Sequence, residues 1–250
     1  MQRYFVEENL AEGRHVKIGG ADHHHIIHVM RMKPEEQVIL VGTDQVVRLA
    51  TINEVGSNTV TLTLGETLTS EVELPIEITI ASGLPKGDKL EWIVQKGTEL
   101  GAAHFITFAA ERSVSKWESK KSDKKLARLT KIAKEAAEQS HRLFVPTVCF
   151  YPHFENLVKD FQNYDYVICA YEESARANEK QELAKLFNKI TPGQKLLCLF
   201  GPEGGIGQLE LEQMQQGGAL FVGLGPRILR TETAPLYLLA ATSFHFELNL

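Results

Sequence analysis

The run of apolar and polar positions divides the chain into a β-rich first part and a remainder in which strand-like and helix-like stretches alternate. Up to about Ser70, short apolar or alternating runs predict strands at Arg3–Val6, His15–Ile18, Gln37–Val41, Val46–Ile52 and Thr59–Leu64. Gly42-Thr43-Asp44 and Gly56-Ser57-Asn58 supply turn chemistry between them. One helix interrupts the series, predicted over His23–Met32 with Asp22 as its cap and Pro34 as its stop. This is the pattern of a small antiparallel barrel. From Pro75 onward the alternation of β and α predicts a mainly parallel sheet covered by helices, an α/β fold. Strand Ile76–Ala81 leads to a helix over Lys89–Leu100, with Leu90, Ile93, Val94 and Leu100 as its core stripe. Strand His104–Ala109 precedes a helix over Lys124–Arg142, striped by Leu126, Leu129, Ile132, Ala133 and Ala136. Val148–Tyr151 and Tyr166–Tyr171 are further strands around a helix-like His153–Phe161, and Glu179–Asn188 is amphipathic. The expected domains are residues 1–72 and 73–250.

The densest pattern lies between Leu196 and Thr233. The apolar strand Leu196–Phe200 empties into Gly201-Pro202-Glu203-Gly204-Gly205-Ile206-Gly207. A helix over Gln208–Gln216 and the strand Ala219–Val222 follow, then a second glycine loop, Gly223 to Thr233. Two such loops at the ends of consecutive apolar strands lie where open α/β sheets bind ligands, and glycine lets the backbone approach a ligand closely. The spacing matches neither G-x-x-x-x-G-K-[ST] nor G-x-G-x-x-G, and Glu203 puts negative charge where a pyrophosphate would sit. A neutral or cationic ligand with many hydrogen-bonding edges suits the loops better. Tyr171-Glu172-Glu173 is a polar strand end beside them, equally readable as a solvated turn. The last segment, Ala234–Leu248, is apolar nearly all round and is expected to be buried in this core or in a partner's.

Composition changes this picture only locally. The net charge of −5 argues against a polyanionic partner, yet nine Lys/Arg stand against two acids between Arg112 and Lys134. That basic block is a field able to steer RNA, or else a solvated lysine-rich face. Cys149, Cys169 and Cys198 sit in apolar strand-like surroundings without C-x-x-C spacing, so they are expected as buried, reduced thiols. No run is long enough to span a bilayer, and the first residues lack the apolar core of a signal peptide, so a cytoplasmic protein is expected. His24 and His28 share a helix face, but no second cluster completes a metal site, and no metal is expected.

The loops GPEGG and LGPRILRTETA, with QKGTELG, Glu111-Arg112-Ser113, EAAEQSHR and HVMRMKP in order, resemble the ribosomal RNA small subunit methyltransferase E (RsmE-like) family of the SPOUT class. The resemblance covers the whole chain. It implies a PUA-like RNA-binding barrel followed by a SPOUT-type sheet with a C-terminal trefoil knot, a homodimer, and S-adenosylmethionine as cofactor. It also implies methylation of N3 of a uridine in 16S rRNA of the small ribosomal subunit.

That chemistry assigns tasks by residue type. Uracil N3 must lose a proton before it is nucleophilic, so the enzyme needs a base or cations beside O2 and O4. Arg230 and Arg112 are the candidate cations, and Glu203 and Glu232 the acids, equally readable as loop-capping groups. Leu199, Gly201, Pro202, Gly204, Gly205, Leu224, Gly225, Ile228, Leu229, Arg230 and Ala234 are expected to wall the cofactor. Arg3, His24, Arg31, Lys86, Lys116 and Arg142 are expected on the RNA. Two other readings compete: a non-catalytic RNA-binding or assembly factor, and a nucleotide-dependent oxidoreductase, which the missing fingerprint disfavours.

Overall fold

The computed structural model describes residues 1–117, 119–171 and 182–248. The polar strand end at Glu172-Glu173 and the start of the amphipathic stretch from Glu179 lie outside the described residues. The chain divides into two compact units: Met1–Glu73 with Ala137–Val145, and Leu74–Ala136 with Pro146–Leu250.

The first unit is built on β1 (Arg3–Phe5), β2 (His15–Gly19), β3 (Gln37–Val41), β4 (Val47–Val55) and β5 (Thr59–Leu68). They form one five-stranded sheet in the order β1-β3-β4-β5-β2. The β1–β3 pair is parallel and the others antiparallel. Two register shifts in β4 against β5, at Arg48/Ala50 and Ile52/Glu54, bend the sheet on itself. Alternate residues Val38 and Leu40, Ala50 and Ile52, and Val60 and Leu62 are fully buried and close the interior with Tyr4, Leu10 and Ile26. The expected helix starts earlier than Asp22. Helix α1 spans Gly20–His24 and passes directly into a π-helical turn, His25–Val29. Gly20, at φ 61°, turns the chain out of β2 in one residue, so the cap is Gly19 and Asp22 falls inside the first turn.

Residues 137–145 return to this unit and bring Arg142, which is 2% exposed. Its Nη2 lies 2.6 Å from Glu73 Oε2 and its Nε donates to the same oxygen at 2.7 Å. The Leu143 N–H donates to the other carboxylate oxygen at 2.7 Å. Arg3 is also buried, and the negative charge of Glu73 acts on it.

The second unit is a parallel sheet of six strands: β6 (Glu77–Gly83), β7 (His104–Phe108), β8 (Thr147–Tyr151), β9 (Tyr166–Ala170), β10 (Lys195–Phe200) and β11 (Leu220–Val222). Their order is β11-β9-β10-β6-β7-β8. One face packs Ala81, Ile106, Leu197 and Leu199 against Phe154, Leu157 and Met214. Those residues come from helices α4 (Phe154–Lys159) and α6 (Gln208–Gln216). The opposite face meets α2 (Lys89–Glu99) and α7 (Thr233–Ser243), where a Cβ at Gly97 would touch both Phe105 and Leu239. Helices α3 (Ser119–Gln139) and α5 (Glu182–Phe187) complete the described set. Of the expected α2 stripe, Leu90, Ile93 and Val94 are buried, whereas Leu100, just past the end of the helix, is half-buried.

One expectation needs correction. Cys149 is exposed rather than buried, although desolvation of its thiol still pushes its pKa up to about 11. The C-terminal apolar segment is only half covered: Leu238 and Leu239 are fully buried, while Tyr237, Phe244 and Leu248 are exposed. Among the described residues no helix is long and apolar enough to cross a membrane.

The Glu73 clasp makes a direct prediction. Glu73→Ala removes the carboxylate that the buried Arg142 guanidinium meets at 2.6 and 2.7 Å and is expected to destabilise the protein by roughly 3–5 kcal/mol, read as a lower denaturation midpoint in urea.

Candidate functional site

In a parallel sheet every strand ends on the same edge, so the loops after β6, β7 and β10, which are neighbours, must share space. They are packed without room for side chains. A Cβ on Gly83, the last residue of β6, would lie 2.6 Å from Pro202 Cδ. One on Gly204 would lie 2.8 Å from the Arg112 carbonyl oxygen, and one on Gly207 would strike the Glu111 carboxylate. Glu210 locks the arrangement from below. Its carboxylate is buried, and it accepts the Glu111 N–H and the Gly207 N–H, each at 2.8 Å. Helix α6 is thus capped by the same group that ties the loop after β7 to the glycine loop after β10.

The second glycine loop is held from α2. Lys89, the first residue of that helix, places Nζ 2.8 Å from Glu203 Oε1 and 3.3 Å from Glu232 Oε2. Glu203 belongs to the first glycine loop and Glu232 to the second. Glu203 also accepts the Lys86 N–H at 3.1 Å. The bond to Glu203 raises the Lys89 pKa, with desolvation opposing it and Glu232 adding to it. Burial alone would lift the Glu203 pKa, but the Lys89 ammonium and main-chain N–H donors outweigh that and hold it below the ordinary value.

Within the second loop Gly225 has φ 97°, and within the first Gly205 has φ 75°. At both, the nearest atom to a built Cβ is 3.9 Å away, Arg112 Nη1 for Gly205 and the Tyr237 hydroxyl for Gly225. Space beside both Cα atoms stays open, unlike at the crowded Gly204 and Gly207, while the Gly205 N–H is already donated to the Pro202 carbonyl at 2.9 Å. The Arg230 carbonyl accepts the N–H groups of Thr233 and Ala234 at 2.9 and 3.0 Å, which starts α7 and fixes the end of the loop.

The residues expected from the sequence are placed as follows. Pro202 is buried against Gly83, and Leu199 is wholly inside the core, leaving only its backbone for a ligand. Leu224, Leu229 and Ala234 are half-buried, whereas Ile228 and Arg230 are exposed. Arg112 is exposed and lies against Gly204, with Nη1 facing Gly205. His24, Arg31, Lys86 and Lys116 are exposed. Arg3 and Arg142 are buried, Arg142 bonded to Glu73, which leaves neither guanidinium a face for phosphate. Among the described residues no group of three or more His, Cys, Asp or Glu is placed to hold a metal ion. Sequence reasoning missed Lys89 and Glu210. Both carried a signal: a lysine at the first position of a helix opposes the macrodipole and calls for an acid partner, and Gly207-x-x-Glu210 has capping-box spacing.

Family models match the chain twice: an RNA methyltransferase PUA domain at residues 18–65 and an RNA methyltransferase domain at residues 72–243. A Bacillus subtilis protein named ribosomal RNA small subunit methyltransferase E is 47% identical, over 99% of this chain and 98% of its own. The chain belongs to the ribosomal RNA small subunit methyltransferase E family. Among solved structures, the family's Neisseria gonorrhoeae member, bound to S-adenosyl methionine, aligns with TM-score 0.82 at 27% identity over 97% of each chain. A Legionella pneumophila methyltransferase structure with bound cofactor SAM gives TM-score 0.82 at 25% identity over 96% of each chain. The family model for the methyltransferase domain spans every loop described above.

Two outcomes are expected of this family member. Gly83→Ala forces a methyl into Pro202 and is expected to destabilise by about 1–3 kcal/mol, seen as a lower melting temperature. The lowered Glu203 pKa contributes stability above its ordinary value of 4.5, and this is lost as pH falls through the depressed folded value. The Lys89 contribution is present below 10.5 and is lost as pH rises through its raised value. Glu203→Gln should therefore melt with a flatter acid limb than the wild type when both are scanned from pH 6 downward.

Proposed function

We propose that the chain transfers a methyl group from S-adenosylmethionine to N3 of a uridine in the 16S rRNA of the small ribosomal subunit. The observation that carries the reading is the meeting of both glycine loops on Lys89 at one edge of a parallel sheet. The residues present fit this cofactor. The missing side chains of Gly205 and Gly225 leave room for a ligand to approach, and Leu224 and Leu229 of the second loop are half-buried. Two carboxylates sharing one ammonium leave negative charge for a ligand that carries a sulfonium and an ammonium. When bound, S-adenosylmethionine supplies an electrophilic methyl group.

The chain's own residues handle the nucleophile. Deprotonating N3 spreads charge onto the uracil carbonyl oxygens, and Arg112 and Arg230, both exposed, are the guanidinium donors assigned to it. Glu203 suits the role of base poorly, because its pKa is held down by Lys89 and a carboxylate that gives up its proton early is a weak acceptor. Glu203 and Glu232 are therefore assigned to holding the loops. Lys86 and Lys116, with His24 and Arg31 of the first unit, are assigned to RNA, and Arg3 and Arg142 to the interior of that unit. The exposed Tyr237 and Phe244, seven residues apart on the segment that begins with α7, support a homodimer whose partner covers them. The trefoil knot implied by the family resemblance belongs to the same proposal.

Undermodified small subunits and labelled S-adenosylmethionine test the reading. The wild type should incorporate one methyl at uridine N3, and Arg230→Ala should slow turnover by roughly 100-fold or more; equal incorporation by both removes Arg230 from the mechanism. Calorimetry with S-adenosylhomocysteine separates an enzyme, which binds it, from an RNA-binding factor, which does not.

A further inference from the structure

Lys89 stands outside both loops yet holds an acid from each. It is the first residue of α2, where the helix dipole disfavours a cation, so its placement costs stability that only its partners offset. Those partners are far apart in sequence. Glu203 Oε1 accepts from Nζ at 2.8 Å and Glu232 Oε2 lies 3.3 Å away, while the Lys86 N–H, one turn earlier, donates to Glu203 as well. Among the described residues no other cation pairs with either glutamate.

Removing that ammonium would leave two carboxylates facing each other with nothing between them. Like charges at close range repel, and the loops that bear them would part. Gly205 and Gly225, each with open space where a side chain would stand, belong to these two loops and move with them. We infer that Lys89 is a positioning residue for the methyl donor: a two-armed ammonium clamp that fixes the spacing of the two cofactor loops without touching the methyl acceptor. The inference rests on the proposed function for the identity of the ligand.

A charge clamp differs from a packing contact in its response to pH. With Lys89 present, its ammonium offsets the mutual repulsion of the two carboxylates, so the spacing of the loops should not depend on pH across the neutral range. Without it, protonating one glutamate removes the repulsion, so affinity recovers as pH falls. The test is calorimetric titration of S-adenosylhomocysteine into the full-length wild type, Lys89→Met and Lys89→Arg at pH 7.5 and pH 5.5. Lys89→Met is expected to bind roughly tenfold or more weakly at pH 7.5 and to regain part of that loss at pH 5.5. Lys89→Arg should fall between the two, and the wild type should change little. Binding by Lys89→Met within twofold of the wild type at both pH values overturns the clamp. So does a loss of affinity that is the same at both.

Should Lys89→Met fail to fold, Glu232→Gln removes one arm and carries the same comparison, without the pH recovery. A wild type that binds no S-adenosylhomocysteine sinks the proposed cofactor instead. In that case a thermal double-mutant cycle between Lys89→Met and Glu232→Gln still decides the clamp: non-additive shifts support it, and strictly additive shifts overturn it.

Discussion

The site depends on how closely three pieces of backbone approach one another at the carboxyl edge of the parallel sheet. Gly83, Gly204 and Gly207 each lack a side chain where a neighbouring loop already occupies its volume. This crowding brings Pro202 onto the end of β6 and Arg112 onto the glycine loop, and Glu210 holds the result by accepting one N–H from each side. A buried carboxylate without such donors would be costly. With two main-chain partners it fixes a geometry that apolar packing alone would leave loose. Arg112 and the first glycine loop therefore sit on a backbone that has little freedom to drift.

Crowding and openness are divided between glycines of the same loop. Gly204 and Gly207 face protein, whereas Gly205, in the left-handed region, faces open space with only Arg112 Nη1 near. The same residue type thus serves first to admit a neighbour and then to leave a ligand room. Arg112 links the two uses, since its backbone abuts Gly204 while its guanidinium faces Gly205.

Much of this was legible in the sequence because the relevant signals are local. Apolar runs such as Leu196–Phe200 are long enough to be strands buried on both faces, and the glycines mark the loops at their ends. The alternation of Val38, Leu40 and their partners gave the curled sheet of the first unit. The relations that stayed hidden join residues distant in sequence. Nothing near Lys89 announces Glu203 or Glu232, and EAAEQSHR reads as the end of a helix rather than as a return to the first unit. Arg142 looked like a cation for RNA because its charge is visible and its burial is not. Hydrophobicity alone does not say whether the segment from Ala234 is covered by its own chain, as at Leu239, or exposed on it, as at Phe244.

The excursion of residues 137–145 has a practical corollary for anyone dividing the protein. A fragment stopping at Glu73 would contain every strand of the curled sheet and still lack the guanidinium that neutralises its final carboxylate. The curled sheet and residues 137–145 thus form one compact unit. Its last cofactor, in effect, is a peptide encoded more than sixty codons downstream.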